Sequence, residues 1–260
     1  MIRTYKHGFF IIALLTLISG IILLPHDVWA QSFTLDFGEE NTNGSVTGRI
    51  IQMVALITIL SLAPSILIMM TSFTRIIVVL SFLRTAMGIQ QTPPNTVLIS
   101  LALFLTLFIM APTMEAAYQQ GIQPLINEEI DEMTAFDNAV EPFHAFMLKH
   151  VREKDILLFA EIGNVQNVES PQDLPLRVVV PAFMISELRR AFEIGFMLFL
   201  PFLIIDMVTA SILMSMGMMM LPPVMISLPF KIIFFVLVDG WNLISGSLVR
   251  SFESGPPPGF

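Results

Sequence analysis

Long runs of apolar residues alternate along this chain with turns rich in proline and glycine. Ile50 to Met70 contains 21 residues without a charge, long enough to cross the about 30 Å hydrocarbon core of a bilayer as a helix. Pro64 lies inside this run and predicts a kink or a break, because proline lacks a backbone N–H and clashes with the preceding turn. The apolar runs Ile76–Leu83 and Val97–Met110 follow. We predict a first apolar helical hairpin over residues 50–112.

A polar segment separates this hairpin from a second one. Residues 113–180 carry 12 Asp or Glu residues against 4 Lys or Arg residues, and apolar residues at a 3.6-residue spacing predict a helix at about 141–160. The chain is apolar again over residues 181–249, where Gly217 and the prolines at 222–223 bracket a turn. We predict an acidic periplasmic helical domain over 113–180 and a second apolar helical hairpin over 181–249.

The N-terminus has the layout of a cleavable secretory signal. A short basic stretch precedes 16 apolar or small residues, Phe9–Leu24, and small or apolar residues stand before the expected cleavage position. This layout predicts that residues 1–30 are removed by cleavage between Ala30 and Gln31. The alternative is an anchor helix that stays uncleaved.

The composition indicates a membrane protein. Hydrophobic residues make up 55% of the 260 positions and charged residues only 13%, whereas soluble domains carry about a quarter. With the mature N-terminus outside, we expect Arg75 and Arg84 to lie nearest the cytoplasm and the acidic domain to lie in the periplasm, as the positive-inside rule favours. Residues 31–49 are expected to form a flexible periplasmic lead-in, and residues 250–260 a C-terminal tail. The predicted fold class is an all-α membrane protein with two kinked helical hairpins.

Charges inside apolar segments are costly in a bilayer and are usually paired or functional. Asp206, Lys231 and Asp239 are such intramembrane charges. If the second hairpin turns near residues 219–220, an ion pair between Asp206 and Lys231 is geometrically reasonable. Lys231 and Asp239 are eight residues apart and are expected on similar faces of one helix. The three charges could form a proton or ion relay, or could fix helix register within or between protomers, and we favour the second interpretation.

Methionines cluster at the predicted turn of the second hairpin. Met218, Met219 and Met220 follow Gly217 and precede the two prolines. Methionine is unbranched and polarisable, so it fills irregular gaps and repacks around changing shapes. Copies of this loop around an oligomeric pore would make a dry, deformable plug. Ordinary gap-filling in a turn is the alternative.

Few residues suggest catalysis, metal binding or nucleic-acid binding. The chain has no cysteine, which excludes thiolate metal sites and cysteine nucleophiles. His144 and His150 are six residues apart, a spacing that does not put both on one helical face. We find no catalytic motif, no phosphate-binding glycine loop and no basic patch with interleaved aromatic residues. We therefore predict a protein that is not an enzyme, with no catalytic or metal site, no cofactor and no nucleic-acid partner.

Several segments resemble the FliP family of flagellar biosynthetic proteins and their injectisome counterparts. They occur in the family's order over residues 50–252, with the signal and the length favouring the flagellar branch. These segments are Thr71–Arg75, Gln90–Pro94, Pro181–Phe196, Pro201–Asp206, Gly217–Pro223 and Pro229–Trp241.

The resemblance implies a pore-forming core subunit of the flagellar type III protein export gate. About five copies would assemble with FliQ and FliR, with FlhB and FlhA nearby, into a helical cone at the flagellar basal body in the inner membrane. The hairpins of this cone would lie largely above the lipid bilayer, towards the periplasm. Unfolded flagellar proteins would be the export substrates.

The resemblance also assigns roles to individual residues. Met218, Met219 and Met220 would form the pore gasket. Phe146, Phe159 and Glu187 match positions that the family uses as periplasmic assembly contacts. The two phenylalanines are 13 residues apart, about 220° around a helix, so either the chain breaks near Lys154–Asp155 or each serves a different contact.

Two other functions remain open at the level of sequence. A proton-coupled small-solute transporter would use Asp206 and Lys231 as its coupled pair, although the two hairpins share no repeat that would support it. A structural assembly scaffold of the basal body would need no path for a substrate.

Overall fold

A computed structural model describes residues 46–89, 92–165, 170–218 and 222–253. These ranges contain helices and connecting turns but no strand, which confirms the all-α class. The predicted signal peptide, its Ala30–Gln31 cleavage site, most of the lead-in and residues 254–260 of the tail lie outside the described residues. The chain divides into two units at Met53 and Val54, and apart from the first turns of the helix that begins at Val46, everything below concerns the second unit.

Nine α-helices follow one another in the described ranges. The helices are α1 (Val46–Met69), α2 (Phe73–Met87), α3 (Asn95–Ala117), α4 (Gln123–Ile126), α5 (Glu132–His150), α6 (Glu153–Ile162), α7 (Leu176–Ser215), α8 (Pro223–Leu237) and α9 (Gly240–Glu253). A π-helical turn (Tyr118–Ile122) joins α3 to α4, and a 3-10 turn (Pro171–Asp173) precedes α7.

Helix α2 forms the centre of the larger core. Ile76, Val79, Leu80 and Leu83 are fully buried, at the spacing that places them on one face of a helix. They pack in one cluster with apolar residues of α3, α7, α8 and α9. The 15 residues of α2 are too few to span a bilayer. The second apolar run of the predicted first hairpin is therefore a buried core helix and not a spanning arm.

At three places a helix continues past a proline where the sequence analysis predicted a kink or a boundary. Helix α1 passes position 64 without a break. Helix α3 contains Pro112 and continues to Ala117, past the predicted boundary at 112–113, because the residues that follow are mostly good helix formers. Helix α7 contains Pro181 and begins at Leu176, so residues 176–180 belong to it and not to the acidic domain.

Two helical stretches are long and apolar enough to cross a bilayer. They are Asn95–Ile126, which joins α3 to α4, and Leu176–Ser215, which is α7. Helices α8 and α9 together would make a third, but they are bent by 63° relative to each other. The described residues thus hold two or three candidate spans.

A second core forms where α5 and α6 pack on the first part of α7. Met147 and Val151 meet Val179 and Phe183 there, with other apolar residues. The expected helix at 141–160 is two helices, because the chain turns at Val151 and Arg152. This turn lets Phe146 of α5 and Phe159 of α6 pack against the same cluster despite their 220° separation on a single helix. The break is present, a few residues before the expected position.

Candidate functional site

The ion pair that the sequence suggested between Asp206 and Lys231 is present within one protomer. Lys231 Nζ on α8 lies 2.6 Å from Asp206 Oδ2 on α7 and donates a second hydrogen bond, 3.2 Å long, to the Ala86 carbonyl oxygen near the end of α2. Ser227 Oγ donates to Asp206 Oδ1 at 2.5 Å. The lysine is buried, and the pair therefore ties α2, α7 and α8 together.

Asp239, the third predicted intramembrane charge, lies outside this arrangement. Helix α8 ends at Leu237, and Asp239 sits exposed at the bend before α9 with a φ of 50°. Aspartate tolerates this left-handed conformation better than most residues. Next to it, a Cβ on Gly240 would lie 2.2 Å from the Phe235 ring, so glycine permits the close packing at the bend. The expectation that Lys231 and Asp239 share a face of one helix is wrong.

A second ion pair, which the sequence analysis did not identify, joins Arg75 of α2 to Glu187 of α7. Both side chains are fully buried. Arg75 Nε donates to Glu187 Oε2 at 2.8 Å, and Nη2 donates to Oε1. Nη1 donates to the carbonyl oxygen and the hydroxyl of Ser251 on α9, at 3.2 and 2.9 Å. The guanidinium carbon lies 3.6 Å from the centre of the Phe252 ring, a cation–π contact.

This geometry encloses both charges inside the chain. Arg75 is held by α2, α7 and α9, and its expected position nearest the cytoplasm stays a prediction. Glu187 has no exposed surface in the chain, and its role as an assembly contact stays a prediction. Any effect of Glu187 on assembly would act through the arrangement of α2, α7 and α9 that the pair fixes.

His150 lies beside the Arg75–Glu187 pair and is almost fully buried. Its Nδ1 lies 2.8 Å from the Phe146 carbonyl oxygen, and its Nε2 lies 3.0 Å from the Phe252 carbonyl oxygen. Arg75 and His150 thus bind two of the last carbonyl groups of α9, which lack partners within the helix. Burial lowers the pKa of His150, and the two carbonyl oxygens oppose that shift only in part.

The other predicted assembly contacts lie mostly inside the chain. Phe146 is partly buried, with its ring centre 4.6 Å from that of His150 and 6.0 Å from that of Phe183. Phe159 is also partly buried, against the second core. Both support the packing of α5 and α6 on α7, and a role in assembly stays a prediction.

The methionine turn begins where α7 ends. Gly217 has a φ of 73°, and Gly217 N and Met218 N donate to the carbonyl oxygens of Met214 and Leu213 at 3.1 and 3.0 Å. These two bonds form the Schellman motif, in which glycine takes the left-handed position after a helix. Met218 is exposed. Met219 and Met220 lie outside the described residues, so their gasket role stays a prediction.

His144 and His150 serve as structural residues. His144 Nε2 lies 2.8 Å from the Leu174 carbonyl oxygen, which links α5 to the segment before α7. Within the described ranges, no group of three or more His, Asp or Glu side chains could hold a metal ion.

One signal in the sequence could have revealed the Arg75–Glu187 pair. Arg75 directly precedes the apolar run of α2, and the argument that intramembrane charges need partners applies to it as much as to Asp206. Its partner could not be identified, because the two residues are 112 positions apart and no local pattern connects them.

The comparisons with known proteins cover most of the chain. The model of the FliP family matches residues 56–248. The flagellar biosynthetic protein FliP of Caulobacter vibrioides is 57% identical over 234 residues, which is 90% of this chain and 87% of that protein. The Rhizobium meliloti protein of the same name is 52% identical over 245 residues, 94% of this chain and 97% of that protein.

A third relative gives the same result. The flagellar biosynthetic protein FliP of Bacillus subtilis is 58% identical over 202 residues, 78% of this chain and 91% of that protein. Matches of this length and identity show that the chain belongs to the FliP family of flagellar biosynthetic proteins, components of the flagellar export apparatus.

Proposed function

We propose that this chain is a pore-forming core subunit of the flagellar type III export gate and helps to conduct unfolded flagellar proteins across the inner membrane. Family membership gives the context of flagellar export. The structural observation that carries the proposal is the length of α7 together with its exposed apolar surface.

Helix α7 is about twice as long as a bilayer's hydrocarbon core is thick. Its 40 residues extend about 60 Å at 1.5 Å per residue, against about 30 Å for the hydrocarbon core. Large apolar side chains are exposed in both halves of the helix, from Phe192 and Phe196 to Met207 and Ile212. Lipid can cover only part of this surface, and other protein must cover the rest. An assembly of several such chains supplies that cover.

The partners follow from this requirement and from the family. In the proposed assembly about five copies of the chain pack with FliQ and FliR into a helical cone, with FlhB and FlhA nearby. The acidic domain faces the periplasm, and the apolar helices lie within or above the inner membrane at the flagellar basal body. The signal peptide would direct the N-terminus across that membrane.

The methionine turn gives this assembly its seal. Several copies of Met218, Met219 and Met220 around the axis would close the path to ions and deform around a passing polypeptide. The rigid end of α7, fixed by the Gly217 motif, would hold each turn in place.

The transporter alternative has less support from the geometry. Asp206 and Lys231 are held by each other, by Ser227 and by the Ala86 carbonyl oxygen. Such a partnered pair suits a fixed helix register better than a proton relay that must exchange its partners.

Deletion of residues 218–220 tests the gasket. The complex should still assemble, and the membrane should become leaky to small ions, measured as the conductance of cells that carry the deletion. Alanine at Met133 removes an exposed methionine of α5, outside the turn and outside the surface of α7, and should leave conductance unchanged. Wild-type conductance in the deletion strain would refute the gasket. Crosslinking of an export substrate to the turn would separate the channel from a scaffold.

A further inference from the structure

An open cavity of about 180 Å³ beside the Arg75–Glu187 pair is lined mainly by arginine. Residues of α2, α7 and α9 and the residue before α6 contribute to its walls. Four of the lining residues are arginines and one is acidic: Arg75, Arg152, Arg189, Arg190 and Glu193. The planar guanidinium group offers five N–H donors in a geometry that matches the oxygens of a phosphate. The composition of this cavity therefore suits a phosphate group.

The charges of this arginine cavity do not cancel. Three of the arginines are each paired with one carboxylate: Arg75 with Glu187, Arg152 with Asp155, and Arg189 with Glu193. Arg190 is half-buried, and in the part of the chain that the structure describes its guanidinium forms no ion pair and donates no hydrogen bond. Glu187 and Glu193 attract it, but each is bound to another arginine. Four guanidinium groups against three carboxylates leave one positive charge in excess.

Two of the paired arginines also keep N–H groups without a partner in the described residues. Arg189 donates to its carboxylate through Nε only, and Arg152 uses Nε and Nη2 but not Nη1. These groups and the whole guanidinium of Arg190 remain available to a ligand. An anion in the cavity would stabilise the charge of Arg190, which is partly withdrawn from water.

An apolar groove of about 140 Å³ lies beside the arginine cavity, between α7 and α9. The two share Ile194 and Ser251 as lining residues, so they adjoin each other. The other residues of the groove are mostly apolar: Leu198, Leu243, Ile244, Ser247 and Leu248. A cationic cavity next to an apolar groove matches a ligand with an anionic head and a hydrocarbon chain.

The arginine cavity also lies where the head group of a membrane lipid is expected. Residues 194–215 of α7 contain one charge, Asp206, and extend about 33 Å at 1.5 Å per residue, close to the about 30 Å of a bilayer's hydrocarbon core. Arg189 and Arg190 precede this stretch by one turn. The groove begins at Ile194 and continues to Leu198. A hydrocarbon chain that follows it from the arginines therefore points towards the hydrocarbon core.

We infer that this site binds one anionic phospholipid. Its phosphate accepts hydrogen bonds from Arg190 and from the free N–H groups of Arg152 and Arg189, and one acyl chain lies in the groove between α7 and α9. The single negative charge of the phosphodiester balances the single excess positive charge. Basic pockets between membrane helices bind phospholipid head groups in this way. Both walls of the site belong to one chain, so the inference does not depend on the proposed pore.

Native mass spectrometry of the full-length chain, purified in detergent with the proteins that accompany it, tests the head-group contact. The probes are phosphatidylglycerol, with one negative charge, and phosphatidylcholine, whose net charge is zero. We expect one phosphatidylglycerol per chain, bound more tightly than phosphatidylcholine. Arg190→Gln should weaken its binding at least about tenfold, because charge-assisted hydrogen bonds are lost. Arg190→Lys keeps the charge and should weaken it less.

A matched control and a second variant complete the test. Arg177→Gln neutralises an exposed arginine of the same helix outside the cavity and should bind phosphatidylglycerol as wild type does. Ser247 is exposed on α9 and lines the groove, so Ser247→Phe fills the groove without a change of charge and should also weaken binding at least about tenfold. Asn242→Phe, exposed on the same helix but outside both cavities, should not.

The outcomes decide between a lipid and a free anion. Equal affinity of wild type for the two phospholipids, or unchanged affinity of Arg190→Gln or Ser247→Phe for phosphatidylglycerol, would overturn the inference. Inorganic phosphate alone is the last probe. If it displaces phosphatidylglycerol at equal concentration and binds Ser247→Phe as well as wild type, the cavity is a free-phosphate site and the inference is wrong. Should Arg190→Gln fail to fold, Arg190→Lys and Ser247→Phe decide the result.

Discussion

Arg75 is the largest fully buried side chain in the described part of the chain. It is fully buried and shares its donors between Glu187 and Ser251. Removal of one partner from a buried ion pair leaves an uncompensated charge and costs about 3–5 kcal/mol. We expect Glu187→Ala to lower the free energy of unfolding by that amount, measured by denaturation of the detergent-solubilised protein.

Two matched variants show whether burial causes this cost. Arg189 and Glu193 form an ion pair on the same helix with about half of each side chain exposed, so Glu193→Ala should cost less than about 1 kcal/mol. A double variant, Arg75→Met with Glu187→Leu, should be less destabilised than Glu187→Ala, because it leaves no buried charge. Equal costs for Glu187→Ala and Glu193→Ala would contradict the importance of burial.

His150 gives the chain a pH dependence of known sign. Burial lowers the pKa of His150 in the folded chain, whereas in the unfolded chain it stays near about 6.5. Below that pH the unfolded state binds more protons, so the free energy of unfolding falls as the pH drops from 6.5 towards the lowered pKa. Above 6.5 the contribution of His150 is constant.

His150→Gln should remove this part of the pH dependence. Glutamine still offers an N–H donor for the Phe252 carbonyl oxygen but does not titrate. The measurement is the difference in unfolding midpoint between wild type and variant from about pH 7 to pH 5, which cancels the other titrating groups. A constant difference across that range would show that the His150 pKa is the same in both states.

At the scale of elements, the close crossing of α2 and α7 depends on Gly195, which has no side chain. A Cβ on Gly195 would lie 2.6 Å from Phe82 Cδ2 and 3.1 Å from Phe82 Cβ, and the Phe82 ring is itself held edge-on to Phe192 at 5.0 Å. We expect Gly195→Ala to destabilise the protein by about 1–3 kcal/mol, the usual cost of overpacking.

Gly246 is the matched control for this crossing. It lies inside α9, and an added Cβ would meet no atom within 4 Å. Gly246→Ala should therefore stabilise the protein by about 0.5–1 kcal/mol, since alanine loses less backbone entropy than glycine in a helix. Thermal unfolding of the two variants side by side checks both signs, and stabilisation by Gly195→Ala would show that the helices can separate freely there.

Sequence patterns predicted the elements better than their roles. Apolar runs and turn residues indicated most of the helices, because runs of this kind reflect the length and polarity of a helix. They did not indicate the break between α8 and α9 at residues 238–240. They could not show that α2 is enclosed by α3, α7 and α9, since an apolar helix has the same sequence pattern whether lipid or protein surrounds it. The Asp206–Lys231 pair was predictable because both residues lie near one turn, whereas Arg75 and Glu187 meet through tertiary packing alone.

At the scale of the molecule, the exposed apolar surface of α7 separates an assembled state from a single chain. A cysteine at Phe196 or Met207, which are both exposed, should react with a small maleimide in the detergent-solubilised chain alone. In the proposed assembly neighbouring subunits cover this surface, so the same positions should be protected in the purified complex. A cysteine at the exposed Asp137 on α5 should react in both states and serves as the control. Equal labelling of Phe196→Cys and Met207→Cys before and after assembly would place α7 against lipid, and copies of the chain could not then close around a pore through this helix.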